Sequence, residues 1–138
     1  MMKNTSSSFI GVDLGTTTSC VALMNDNKKI EILEDRGNGS RLIPSVVCFT
    51  NKTIYVGNSA INIEGYSKST IYESKRLIGH KLDDKIIQED IKRSNVKIIK
   101  DKSGNVQYSF KKNNEEIKKY PEEISLEILK NEVEIKIN

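Results

Sequence analysis

Two cysteines and one histidine are all that this chain offers to thiolate or imidazole chemistry. Cys20 and Cys48 lie inside apolar runs without the paired spacing of a zinc site, and His80 cannot complete one with them. Neither a metal centre of that kind nor a disulfide framework is expected, and both thiols read as reduced and buried in the core. No block of five or more like charges occurs, and 22 Lys and Arg against 19 Asp and Glu leave a formal charge of +3. That excess is too weak and too dispersed for nucleic-acid binding. No apolar run approaches the ~20 residues of a membrane span, and the residues before Phe9 are too few and too polar for a signal or transit peptide. The expectation is a soluble, cytoplasmic chain with neither a membrane nor a nucleic acid as partner. Its 138 residues suffice for one domain with a real core but are few for an enzyme that must enclose a nucleotide.

What the chain does have is concentrated near its start. Phe9-Ile10-Gly11-Val12-Asp13-Leu14-Gly15-Thr16-Thr17-Thr18-Ser19-Cys20-Val21 places one acid, a glycine turn and three threonine hydroxyls between two apolar runs. Two buried antiparallel strands joined by a ligand-facing turn have this pattern. Gly15 would let the backbone approach a ligand closely, and the amides of Thr16, Thr17 and Thr18 could turn inward as a nest for anionic oxygens. Asp13 would repel a phosphate, so its place beside such a turn makes sense if a cation such as Mg²⁺ lies between them, through water. Taken locally, the same run fits an ordinary hairpin with a polar turn equally well.

Further along, Lys29 to Glu34 alternates as a third strand, completing a meander. Residues 35–41 read as a loop, Pro44-Ser45 opens a strand through Thr50, and Ile54-Tyr55-Val56 returns from it. A short helix is expected from Asn58 or Ser59 to about Glu64, another over Lys75-Arg76-Leu77-Ile78 until Gly79, and a third from Asp83-Asp84 with Ile86, Ile87 and Ile91 on one side. Val96 to Tyr120 reads as a second meander, with turns at Asp101 to Gly104 and Lys111 to Asn114. Pro121 suits the first turn of a final helix whose apolar face carries Ile124, Ile128 and Leu129 and would dock on the opening strands.

Four segments in this order resemble the seventy-kilodalton heat-shock chaperone family, the DnaK-like proteins: Ile10 to Val21, the strand after Pro44-Ser45, Glu73-Ser74-Lys75-Arg76-Leu77-Ile78-Gly79, and Tyr120-Pro121-Glu122-Glu123-Ile124. The first is shared in looser form with actin and sugar kinases, whereas the third and fourth are much more specific. The resemblance runs from about Phe9 to about Leu129 and covers the N-terminal part of the family's ATPase domain only.

The fold implied is α/β, an incomplete first lobe of an actin-like (ribonuclease H-like) ATPase domain. Its expected organisation is a flexible tail over residues 1–8, a core subdomain over 9–43 and 121–138, and a smaller inserted α+β subdomain over 44–120. The resemblance implies ATP or ADP as ligand with Mg²⁺ and K⁺. Gly15, Thr16, Thr17 and Thr18 would hold the phosphates, Asp13 the metal's water shell, and Lys75 would be catalytic, approaching the γ-phosphate and positioning the attacking water. Outside its motif Lys75 would read as a solvated helix lysine. Arg76 is expected in a salt bridge or hydrogen bond between subdomains, and Tyr120 and Pro121 as structural. Co-chaperones or a full-length relative are the other implied partners.

The second phosphate loop, the hinge acid and the adenosine pocket of that family are not found in these residues. Leu42-Ile43 stand where the family usually has two threonines, Gly39-Ser40 look inserted, and Asn131 to Asn138 resemble the family poorly. The expectation is therefore a truncated nucleotide-binding lobe with little turnover by itself. The alternatives are a non-catalytic interaction module or gene fragment that keeps the fold and, further off, an actin-like or sugar-kinase-like phosphate-binding protein.

Overall fold

A computed structural model describes residues 9–35 and 38–137. The opening meander is present. β1 (Phe9–Asp13) pairs antiparallel with β2 (Thr18–Met24), aligning Val12 with Val21 and Asp13 with Cys20, and β2 pairs with β3 (Ile30–Ile32). The start of β2 also pairs with a two-residue strand, β4 (Ile43–Pro44), setting Thr18 against Pro44 and Ser19 against Ile43. That pairing fastens the turn after Asp13 to the chain that enters the strand beginning at Val46.

β5 (Val46–Phe49) is buried throughout and lies between β6 (Ile54–Val56) and β7 (Thr70–Tyr72). Between β6 and β7 runs α1 (Asn58–Ile61), one turn long and shorter than the expected helix to Glu64. The segment expected as a helix over Lys75 to Ile78 is a tight 3₁₀ turn over Ser74–Leu77. Another such turn, Lys85–Ile87, leads into α2 (Gln88–Arg93). Within it Ile87 is buried but Ile86 is 76% exposed, so the expected apolar stripe loses that member. Short elements with few internal hydrogen bonds follow their tertiary contacts instead of the 3.6-residue period.

The second meander follows the sequence expectation closely: β8 (Lys97–Lys100), β9 (Val106–Lys112) and β10 (Glu115–Lys119) form an antiparallel sheet with β9 central. Asn113 and Asn114 make the β9–β10 turn with φ of +51° and +65°, the left-handed pair that a two-residue hairpin of matching twist needs and that asparagine tolerates.

The last helix, α3 (Pro121–Ile137), begins with proline, whose missing N–H costs nothing there. The Glu123 carboxylate accepts the Tyr120 backbone N–H at 2.8 Å, and Lys119 Nζ donates to its other oxygen at 3.2 Å. Ile124 and Ile128 are fully buried in one core with Val47, Phe49, Ile71, Val106, Tyr108 and Phe110. The helix's apolar face therefore covers β5 and β9, and the expected docking on the opening strands gives way to this. Every residue of β1 is exposed, with Phe9 at 64%. Cys48 is buried as expected and Cys20 only half-buried.

Candidate functional site: a hairpin tied from two directions

Asp13 ends β1 with its carboxylate exposed, and Thr18 opens β2. Between them Gly15 is required by close approach: a Cβ placed on it would lie 2.0 Å from the Thr18 carbonyl oxygen. The backbone amides of Thr16 and Thr17 hydrogen-bond to nothing among the described residues. Two free N–H groups on one tight turn are what an anion-binding nest consists of.

Two segments hold this turn by hydrogen bonds. From β4 and β5, the Ser45 amide donates to the Thr17 carbonyl at 2.9 Å, while the Ser45 hydroxyl donates to the Gly15 carbonyl at 2.9 Å and contacts the buried Ser19 hydroxyl at 2.9 Å. From the 3₁₀ turn, Lys75 Nζ donates to the Leu14 carbonyl at 2.7 Å, across 61 positions of sequence. Beside it the Thr17 hydroxyl donates to Glu73 Oε1 at 3.3 Å, and Arg76 Nε donates to Glu73 Oε2 at 3.0 Å. Glu73 itself has φ of +50°, a left-handed conformation unusual for its type. The expected role of Arg76 is thus taken by a local ion pair, with Glu73 providing the link to the hairpin.

A residue of α3 lies near the base of the turn without bonding to it. Glu132 is completely buried, and neither carboxylate oxygen meets a hydrogen-bond partner. Burial pushes its pKa up to about 7; the nearby Ser19 hydroxyl pulls the other way, and the charge of Asp13 adds to the rise. Two acids, one buried and one exposed, thus face the base of the same hairpin.

The six residues expected at the site divide accordingly. Gly15, Thr16, Thr17 and Thr18 form the turn, Asp13 stands at its base, and Lys75 is brought to it from the 3₁₀ turn at Ser74–Leu77 with its amine on the Leu14 carbonyl. Sequence reasoning missed Ser45, Glu73 and Glu132 as parts of this arrangement. A signal existed for the last: Ile124, Ile128 and Glu132 recur every fourth residue, placing an acid on the buried stripe of α3. Tyr120 is structural as expected, its hydroxyl donating to Asp101 Oδ2 at 2.9 Å.

Comparison with known proteins bears on this geometry. The family model described as Hsp70 protein matches residues 9–136. The chain is 41% identical over 121 residues to the "Heat shock 70 kDa protein 2" of Paracoccidioides lutzii, an overlap of 87% of this chain and 18% of that protein. It is 41% identical over 123 residues to the "Heat shock 70 kDa protein" of Trichophyton rubrum, and 40% identical over 124 residues to the "Chaperone protein DnaK" of Psychrobacter cryohalolentis, which it spans to 18% of that protein's length. In each case the overlap falls in the N-terminal part of the relative. This chain belongs to the Hsp70 family.

Proposed function

We propose that this chain supplies the first phosphate-holding wall of a heat-shock chaperone's ATPase, in the actin-like lobe that the sequence resembles. The observation that carries this reading is the 2.7 Å hydrogen bond from Lys75 Nζ to the Leu14 carbonyl. It sets an ammonium group beside a turn with two free backbone amides, where charge on a γ-phosphate would grow as its bond breaks. In this reading Gly15, Thr16, Thr17 and Thr18 hold the β- and γ-phosphates and Asp13 orients the water shell of Mg²⁺, with K⁺ alongside. The metal would neutralise phosphate charge; Lys75 would position the attacking water. Chaperone activity, co-chaperone partners and a cytoplasmic location belong to the same proposal. Among the described residues no helix is long and apolar enough to cross a membrane.

The turn is open to solvent, so each contact acts in high dielectric and contributes little by itself. Calorimetric titration of the 138-residue chain with Mg-ATP should give a Kd weaker than roughly 100 µM. Submicromolar binding would overturn the single-wall reading. In any preparation that turns over ATP, Lys75→Ala should lower the chemical step while largely sparing nucleotide binding, as a contact that strengthens in the transition state does. Equal losses in both would make Lys75 a simple phosphate anchor.

A further inference from the structure

A second cleft lies away from the hairpin, with a volume of about 650 Å³, within the range of small-molecule sites. It opens between the β5–β6 turn, the segment around Tyr66 to Ser69, the start of β8 and the β9–β10 hairpin. Its wall carries Lys68, Lys97 and Lys111 and no acidic residue. None of these three amines has an ion-pair or hydrogen-bond partner among the described residues, a state they share with Lys28, Lys29, Lys52, Lys85, Lys102 and Lys112 outside the cleft. The acid whose field reaches Lys97 is Glu116, already bound by the Ser109 hydroxyl at 2.7 Å and by Lys118.

The frame around the amines is fixed in advance. The Asn113 amide donates to Asn51 Oδ1 at 2.9 Å, and the Asn113 side chain donates to the Asn51 carbonyl at 3.2 Å, locking the two hairpin turns together. The segment bearing Lys68 is pinned by the Ser69 hydroxyl on the Phe49 carbonyl at 2.7 Å and by the Thr70 hydroxyl on the Tyr66 carbonyl at 2.8 Å. The backbone that carries the three lysines on separate segments is thus held by hydrogen bonds, so a ligand that bridges them has only their side chains to order. Lysine meets such a ligand as a compact point charge, the mode in which it binds phosphates.

We propose that this cleft binds a small polyphosphate-bearing molecule, with Lys68, Lys97 and Lys111 as its phosphate contacts, independently of the hairpin. Inorganic tripolyphosphate is the probe, titrated into the full chain by calorimetry at low ionic strength with EDTA present, so that metal-dependent binding at the hairpin is silent. One site is expected, weakened several-fold as salt rises from about 20 to about 200 mM because the contacts are exposed. The Lys68→Ala/Lys97→Ala/Lys111→Ala variant should bind at least about tenfold more weakly with an unchanged thermal melt, as its side chains are exposed and unpaired. If that variant melts early, the charge reversal Lys68→Glu replaces it, with the same loss expected. Lys75→Ala should leave this binding intact. Loss with Lys75→Ala and retention in the triple variant would overturn the proposal. So would an acidic peptide of eight glutamates that binds more tightly than tripolyphosphate and competes with it, which would assign the cleft to a protein partner.

Discussion

Ser45 holds the hairpin at two points, its amide on the Thr17 carbonyl and its hydroxyl on the Gly15 carbonyl, each at 2.9 Å. The side chain is buried, and its other neighbour is the buried Ser19 hydroxyl. Removing the hydroxyl leaves Ser19 without this partner away from water. Ser45→Ala should therefore destabilise the fold by about 1–3 kcal/mol, the cost of stranding a buried polar group, and loosen the turn. Urea denaturation measures the first effect and amide exchange at Thr16 to Thr18 the second. A variant as stable as the parent with unchanged exchange would show that the backbone bond alone sets the turn.

Glu132 makes stability depend on pH in an unusual direction. Its carboxyl titrates at about 7 in the folded chain against the ordinary 4.5, so between those values the folded state holds a proton that the unfolded state releases. Stability from this group is present below the ordinary pKa and lost as pH rises through about 7. Glu132→Gln should match the parent near pH 4.5 and exceed it by about 2–3 kcal/mol at pH 8. Chemical denaturation at both pH values tests this. An equal gap at both would mean that the carboxyl is solvated.

The core contribution of α3 is carried by Ile124 and Ile128, both fully buried against residues of β5 and β9. Ile128→Ala should cost about 2–5 kcal/mol, a large share of a small domain's stability. It should lower the thermal midpoint while the exposed strand β1 stays unaffected in its local exchange. A loss below about 0.5 kcal/mol would show that the helix is not docked there.

Much of this architecture is legible in the sequence because a seven-residue strand that is a continuous apolar run, as in β2, or clearly alternates, as in β9, carries its own signal. The hairpin residues Asp13 to Thr18 and the capped start of α3 at Pro121 stand out for the same reason: local chemistry alone demands glycine, hydroxyls or proline there. The rest depends on partners distant in sequence. β7 is three residues long and exists through its pairing with β5, and Ser74–Leu77 winds as a 3₁₀ turn where Lys75 reaches Leu14. Ile86 points to solvent although its periodicity matches that of Ile87. Ser45 and Glu73 gained their roles from contacts 30 and 56 positions away, which no local pattern records.

Whether the turn after Asp13 holds a metal-bound phosphate chain with Lys75 beside it is read out by amide NMR of the 138-residue chain titrated with Mg-ATP to millimolar concentration. Shift changes are expected at Gly15, Thr16, Thr17, Thr18 and Lys75 that shrink when Mg²⁺ is withheld, and in an Asp13→Asn variant the presence of Mg²⁺ should make no difference. Shift changes confined to Lys68, Lys97 and Lys111, or a hairpin response that is the same with and without Mg²⁺ in the parent chain, would contradict that assignment.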